Sequence, residues 1–225
     1  METLIHPEIF GPHIKAFFTG KSHGADLKKV SGIASIEAQR IYLPIQKHTD
    51  KVLVLDSDMS PKIADAVITK EKGMLIGVQV ADCVPVLLQD RKRSVVGAIH
   101  AGWRGTAKEI FKKTVKEMIE RFNSDARDIL VAIGPSIRGC CYNVGYDVLE
   151  SVERATGKGE YHIQKGEILC LDLAIANKYQ ALSLGIPVEN IWMSSECTHC
   201  NPDRFYSYRY SKGPTGRQGG FIGLF

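Results

Sequence analysis

Short apolar segments rich in valine and isoleucine alternate with turn-forming residues through much of the chain, and this pattern limits the possible folds most. The segments are KVLVLD (51–56), DAVITK (65–70), MLIGVQVADCVPVLLQD (74–90), SVVGAIH (94–100) and ILVAIGP (129–135). Segments of this kind, bounded by Gly, Pro or Asp, predict β-strands. Strands are also predicted at 14–20 and 30–37, and the tail GPTGRQGGFIGLF predicts a turn and a last buried strand.

Three helices are predicted beside these strands. Apolar residues recur with helical spacing over 106–122, and Thr106 with Glu109 forms a capping-box signature at its start. Further helices are predicted over 144–155 and 172–184, the latter closed by a glycine. The predicted strands outnumber the helices.

Composition and charge exclude several classes of protein. The 225 residues are 44% apolar and 24% charged, as in globular chains, and we predict one domain over residues 1–225. The formal charge of +4 is spread along the chain, which argues against a nucleic-acid partner. The N-terminal stretch does not resemble a signal peptide, and no apolar run approaches the roughly 20 residues that span a bilayer. We therefore expect a cytoplasmic protein with no membrane partner, whose six cysteines are thiols or metal ligands.

Two histidines stand at predicted strand ends, and one cysteine lies between them in the sequence. His48 occurs in PIQKHTDKVLVLD, Cys83 in VQVADCVPVLL and His100 in GAIHAGWRG. One thiolate with two imidazoles is compatible with zinc, and three protein ligands leave a fourth position open. The spacing matches no short zinc motif, so a core thiol at Cys83 remains the commoner alternative on the residues alone.

Charged residues close to these candidate ligands suggest an anion site. Asp82 interrupts an otherwise apolar run and needs a role there. Arg104 follows His100 across a short loop, close to a predicted helix start where free N–H groups favour phosphate. Arg209 and Arg217 are further candidates to neutralise an anion.

The other cysteines include two close pairs. CTHC (197–200) has the spacing of half a zinc ribbon, but no second Cys-x-x-Cys completes a tetrahedral site. We therefore predict free thiols at Cys197 and Cys200, and one metal ion per chain. The vicinal pair Cys140 and Cys141 offers a nucleophile if folding brings a histidine near, although turn and core positions are common for such pairs.

Five stretches of the chain together resemble one family. QKH, VADCVPVLL, AIHAGWRGT, IGPSIRGCCYNVG and CTHCNPDRFYSYRYSKGPTGRQGGFIGL are similar, in order, to motifs of the YfiH/YlmD family. That family is also called peptidoglycan editing factor and has been labelled polyphenol oxidase or laccase. The resemblance implies an α+β fold, a four-layer αββα sandwich. It also implies a zinc-dependent purine nucleoside phosphorylase that uses phosphate with adenosine, inosine, guanosine and methylthioadenosine, and that deaminates adenosine.

The resemblance also implies roles for individual residues. The metal ligands of the family fall on His48, Cys83 and His100. We expect Asp82 to orient a ligand or handle protons, Arg104 to act on phosphate in binding and catalysis, and Arg209 to contact the substrate.

The chain departs from the family pattern in two places. Thr49 stands where the family has Gly after the histidine, and FFTGKSHG lacks the arginine of the family's N-terminal segment. Either Lys21 replaces that arginine as a point charge without its planar fork, or the substrate preference of this chain differs.

Two other enzyme functions remain alternatives. A copper polyphenol oxidase with a four-copper cluster requires roughly ten imidazoles, and the chain has seven histidines, so copper is the less favoured metal. A thiol hydrolase that edits cell-wall peptide precursors would use Cys83 as nucleophile and His100 as base. A module that only binds nucleotides is the non-enzymatic alternative. The sequence does not determine the oligomeric state.

Overall fold

The computed structural model describes residues 3–225, apart from the side chain of Lys165. Its strands are, in chain order, β1 (Leu4–Ile5), β2 (Ile14–Thr19), β3 (Ile41–Tyr42), β4 (Val52–Val54), β5 (Ala66–Thr69), β6 (Leu75–Val80), β7 (Val84–Asp90), β8 (Val95–Ala101), β9 (Ile129–Ile133), β10 (His162–Lys165), β11 (Ile168–Leu171), β12 (Ile191–Met193) and β13 (Gln218–Leu224). Its helices are α1 (Leu27–Ala34), α2 (Trp103–Ala107), α3 (Ile110–Phe122), α4 (Tyr146–Thr156) and α5 (Leu173–Ser183).

The strands form two large sheets and one separate hairpin. The five-stranded sheet has the order β1-β2-β13-β6-β3, and the six-stranded sheet has the order β12-β9-β7-β8-β5-β4. Strands β10 and β11 form the hairpin, and a backbone bridge joins Cys170 of β11 to Asn143. Most neighbours are antiparallel, but β12 lies parallel to β9 at one edge of the six-stranded sheet.

Apolar side chains fill three spaces between layers. Phe18, Leu87 and Ile222 belong to the cluster between the two sheets. The outer face of the six-stranded sheet packs against α3, α4 and α5. The outer face of the five-stranded sheet packs against α1, and Phe17 lies there because successive strand residues point to opposite faces. The four layers are helix, sheet, sheet and helix, which confirms the predicted αββα sandwich.

The prediction of a strand at 30–37 is wrong. Most of it belongs to helix α1, which begins after Asp26, whose carboxylate accepts the N–H groups of Lys28 and Lys29. Val30 and Ala34 are one helical turn apart and are both buried. The β-branched residues favoured a strand locally. The Asp26 cap stabilises the helix start, and the helical spacing places Val30 and Ala34 on one buried face.

The segment predicted as one strand at 74–90 is two strands in different sheets. Strand β6 belongs to the five-stranded sheet and β7 to the six-stranded sheet. The chain crosses between them at Ala81–Cys83, where Asp82 has a φ of 85°. Asp82 therefore interrupts the apolar run because the backbone changes layer there.

The helix predicted over 106–122 is also divided, and its predicted capping box is absent. Glu109 lies between α2 and α3 with a φ of 61°, and its carboxylate binds Lys112 rather than capping a helix. Thr106 is buried inside α2 and its hydroxyl accepts a hydrogen bond from Asn177 of α5. This tertiary contact occupies the hydroxyl that a capping box would use.

The two remaining predicted helices are confirmed with small shifts at their ends, as α4 and α5. The Asp172 carboxylate caps α5 by accepting the N–H of Ile175. Within residues 3–225, no helix combines the length and the apolar character that crossing a membrane requires.

Candidate active site and metal centre

His48, Cys83 and His100 meet at one end of the six-stranded sheet. His48 lies in the loop before β4, Cys83 in the crossing between the sheets, and His100 near the end of β8. One potential ligand atom from each lies within 4.8 Å of the others, and the Cys83 Sγ is 4.0 Å from the His48 Nε2. The sequence separates these residues widely, and the pairing of β7 with β8 brings the last two together.

Asp65 orients two of these three residues. Its carboxylate is fully buried at the start of β5 and lies 2.8 Å from the His100 Nδ1. The same carboxylate accepts the backbone N–H groups of Lys47, His48 and Thr49, at 2.6 to 3.2 Å. The hydrogen bond to Nδ1 directs the Nε2 of His100 toward Cys83, as carboxylates do for metal-binding histidines.

Glycine at position 102 makes room for the cluster. A Cβ atom at Gly102 would lie 2.9 Å from the Cys83 Sγ and 3.3 Å from the His48 Cδ2. Its φ of −73° is accessible to any residue, so the requirement for glycine here is steric.

The cluster carries opposite charges before any metal binds. Burial raises the pKa of the Cys83 thiol, but the charge of His100 and the hydrogen bonds of both imidazoles outweigh burial and lower it to about 6. Burial likewise lowers the pKa of His100, and the Cys83 thiolate and Asp65 more than reverse this, raising it to about 9. Cys83 and His100 therefore form a thiolate–imidazolium pair near neutral pH.

This donor set fits a metal ion. A thiolate and two imidazoles are ligands that zinc prefers, and their ligand atoms already converge on one small volume. The Asp65 carboxylate fixes the tautomer of His100, which is the usual arrangement around a metal-binding histidine. The structure therefore contains a candidate metal centre with three protein ligands.

The centre opens into a cavity of about 630 Å³, which also contains the other predicted site residues. Asp82 lines it and is largely buried. Its carboxylate accepts the Thr198 hydroxyl at 2.6 Å and the Arg209 N–H at 2.7 Å. Asp82 thus connects the crossing between the sheets to the C-terminal loop that carries Arg209.

Three arginines, Arg104, Arg209 and Arg217, line the same cavity. The Arg104 guanidinium lies over the Trp103 ring, with 4.3 Å to the ring centroid. The Arg209 guanidinium donates to the Asn143 carbonyl and lies over the Tyr142 ring.

The structure changes the expected surroundings of Arg104. Arg104 lies in the first turn of α2, rather than before a long capped helix. Because α2 has only five residues, its dipole adds little, and any attraction for an anion there comes from the guanidinium charge.

Several site residues were missed by the sequence analysis. Tyr142 lines the cavity; burial and the negative charge of Cys83 raise its pKa to about 12, so its hydroxyl is a hydrogen-bond donor at neutral pH. The Gln79 side chain also lines the cavity, and it interrupts the apolar run LIGVQV, as Asp82 interrupts the next one. No motif in the sequence points to Asp65 or Gly102, and only their positions next to strand ends could have indicated a role.

The structure shows the contacts of the two residues at which the chain departs from the family pattern, Thr49 and Lys21. The Thr49 hydroxyl donates to Asp65 at 2.7 Å, so this residue joins the network that holds the His48 loop. Lys21 lines a neighbouring depression that shares Gln79 and Arg217 with the cavity, and its ammonium group donates to the Pro202 carbonyl.

Comparisons with known proteins agree with this fold. Residues 24–225 match the family described as multi-copper polyphenol oxidoreductase laccase. A purine nucleoside phosphorylase of Clostridium acetobutylicum is 39% identical over 181 residues, which cover 79% of this chain and 74% of the relative. The adenosine deaminase RL5 of an unknown prokaryotic organism is 32% identical over 209 residues, covering 84% of this chain and 76% of the relative.

The solved structure of YlmD from Geobacillus stearothermophilus superposes with a TM-score of 0.89 at 29% identity, covering 97% of this chain and 94% of that one. The class of protein is thus a mixed α/β sandwich with a three-residue candidate metal centre at the end of one sheet. The chain belongs to the family described as multi-copper polyphenol oxidoreductase laccase, and its fold is similar to the solved structures of YlmD and of Bacillus licheniformis YfiH.

Proposed function

We propose that this protein is a zinc-dependent purine nucleoside phosphorylase that also deaminates adenosine. The observation that carries the proposal is the convergence of His48, Cys83 and His100 on a cavity lined by three arginines. A metal ligand set next to a positively charged pocket suits a reaction between an anion and a neutral nucleoside.

We assign the metal to His48, Cys83 and His100, with Asp65 as the residue that orients His100. Zinc bound there supplies a Lewis acid for an oxygen atom of the reactants. The open side of the ligand cluster faces the cavity, so a nucleoside has access to it.

The arginines of the cavity bind and position phosphate. In phosphorolysis a phosphate oxygen forms a bond to C1′ of the ribose while the glycosidic bond breaks and the purine leaves with a proton. Arg104 and Arg209 neutralise the phosphate and the charge that develops on the departing base. Tyr142 donates a hydrogen bond and offers an aromatic face to the purine.

Asp82 acts as a positioning residue in this proposal. Its two carboxylate oxygens are occupied by Thr198 and by the backbone of Arg209. It holds the Arg209 loop against the crossing that carries Cys83.

Product analysis tests the proposal. Adenosine is incubated with the purified, zinc-loaded protein with and without inorganic phosphate, and the products are separated by chromatography. Adenine together with ribose 1-phosphate, formed only with phosphate, supports phosphorolysis. Cys83→Ala should lose this activity and the bound zinc of the centre, and an unchanged turnover in that variant contradicts the assignment.

The deaminase activity is tested by the same assay. The relative named adenosine deaminase RL5 favours it, and an oxygen nucleophile held beside a bound adenosine is the shared requirement of both reactions. Inosine formed without phosphate supports deamination, and its absence restricts the proposal to phosphorolysis.

A thiol hydrolase is the second candidate, because the Cys83–His100–Asp65 arrangement also fits an activated cysteine nucleophile. Metal content discriminates, since a zinc-bound thiolate is a poor nucleophile for acyl transfer. Zinc-free protein that is active, and that is inactivated by iodoacetamide at Cys83, favours the hydrolase.

The geometry does not favour a multicopper oxidase. Within residues 3–225, the groups close enough to hold a metal are the His48–Cys83–His100 centre and one cluster of four cysteines. Only two imidazoles therefore contribute to such groups, whereas a multicopper centre requires many.

A further inference from the structure

Four cysteines that do not line the candidate active-site cavity converge in two neighbouring loops. Cys140 and Cys141 lie in the loop that follows β9, and Cys197 and Cys200 lie in the loop that follows β12. Because β9 and β12 are parallel neighbours, both loops leave the same edge of the sheet. A backbone bridge between Ser136 and Cys197 holds the loops side by side.

The sulfur atoms are spaced for a metal ion rather than for disulfides. The Cys200 Sγ is 3.2 Å from the Cys141 Sγ and 3.6 Å from the Cys140 Sγ, and all four sulfurs lie within 4.8 Å of one another. Four thiolates around zinc, each at about 2.3 Å, would stand about 3.8 Å apart. Disulfide sulfurs stand at about 2.05 Å, and all four cysteines are free thiols in the structure.

We propose that Cys140, Cys141, Cys197 and Cys200 form a second metal site, which binds zinc as a structural ion. This replaces the expectation of free thiols at CTHC, because the vicinal pair supplies the two ligands that a second Cys-x-x-Cys would otherwise provide. Binding converts the four thiols to thiolates and releases their protons to solvent. The site is closed by four protein ligands, as structural zinc sites are.

The four-cysteine site joins the two loops that form one wall of the cavity. Tyr142 directly follows Cys141, and Thr198, which holds Asp82, lies between the two cysteines of CTHC. Arg209, further along the second loop, donates to the Asn143 carbonyl of the first. Zinc at the four cysteines would fix these loops relative to each other and thereby position the wall residues.

Zinc content tests the proposal without any activity measurement. The protein is purified with zinc in the medium and analysed for zinc per chain. We expect two zinc ions in the unchanged protein, one in Cys83→Ala, one in the double variant Cys197→Ser and Cys200→Ser, and none when all three changes are combined. Cys170→Ser, at a cysteine outside both groups, is the control and should keep two.

A spectroscopic measurement on Cys83→Ala keeps the test valid if the double variant fails to fold. Loaded with Co²⁺ alone, this variant should show the intense sulfur-to-cobalt bands of four thiolate ligands, and added Zn²⁺ should abolish them. One zinc per chain that Cys83→Ala removes, iron in place of zinc, or a disulfide within the cluster found by mass spectrometry of freshly purified protein would each overturn the proposal. Failure of phosphorolysis with two zinc ions bound would overturn the proposed function only.

Discussion

At the scale of single residues, the buried carboxylate of Asp65 positions two of the three candidate metal ligands. It accepts hydrogen bonds from the loop that carries His48 and from the ring of His100. Burial raises the pKa of Asp65, but the hydrogen bonds from His100 and Thr49 hold it well below its usual range. The carboxylate is therefore ionised, and its charge supports a protonated or metal-bound His100.

Asp65→Asn is expected to weaken metal binding by about 10- to 100-fold. One carboxylate oxygen becomes an amide donor that faces other N–H donors, so both the His48 loop and the His100 ring lose their orientation. Competition with a chelator measures the zinc affinity. Asp203→Asn, at an exposed aspartate, is the matched control, and equal affinities in the two variants would contradict the role of Asp65.

Arg104→Ala is expected to lower kcat/KM for phosphorolysis by about 10- to 100-fold while the zinc content stays unchanged. The guanidinium lines the cavity and is held over the Trp103 ring, so its charge is available to phosphate. Lys at this position should restore only part of the activity, because an ammonium lacks the planar fork.

Arg121→Ala removes the same charge from an exposed position on α3 and is the control for Arg104→Ala. Steady-state kinetics at varied phosphate concentration should separate the two variants. If Arg104→Ala keeps the phosphate dependence of the unchanged protein, the anion site lies at Arg209 and Arg217 instead.

At the scale of elements, the junction of β8 with α2 brings the candidate metal ligands close to Arg104. His100 is the last residue but one of β8, which is buried throughout, and Arg104 lies in the first turn of α2. Gly102 joins the two and allows Cys83 and His48 to approach the backbone closely. The short α2 is separate from α3 and has its most extensive helix contacts with α4.

Gly102→Ala is expected to lower zinc affinity at this centre by at least about 10-fold, because the new methyl group would overlap the Cys83 sulfur. Isothermal titration with zinc measures the loss. Gly32→Ala on α1, where the added Cβ meets no atom within 4 Å, is the control and should leave the affinity unchanged. An unchanged affinity in Gly102→Ala would mean that the ligands do not adopt this arrangement when zinc binds.

At the scale of the whole molecule, two packed sheets support the candidate metal centre at the end of one of them. The centre draws one ligand from a strand end, one from the crossing between sheets and one from a loop. The pair of charges on Cys83 and His100 contributes to the stability of the metal-free fold, and this contribution depends on pH because both groups titrate.

The metal-free protein is expected to gain most stability from the Cys83–His100 pair between about pH 6 and pH 9. The pKa of Cys83 is lowered to about 6, so the stabilisation from its thiolate is lost as the pH falls through 6. The pKa of His100 is raised to about 9, so the stabilisation from its imidazolium is lost as the pH rises through 9.

Urea unfolding of chelator-treated protein across this range measures the effect. The relevant quantity is the difference in the free energy of unfolding between the unchanged protein and Cys83→Ser. We expect this difference to be largest between the two pKa values. A difference that increases steadily below about pH 6 would contradict the ion pair.

The sequence by itself determined the strands with clear β patterns, the helices α4 and α5, and the candidate ligands, because local spacing and family motifs carry that information. Only the tertiary structure decided that 30–37 is mostly helical, that 74–90 divides between two sheets, and that 106–122 bends. It also decided that Asp65 orients His100 and that the two cysteine pairs meet. Contacts between residues far apart in the chain depend on strand order and layer packing, which no local pattern encodes.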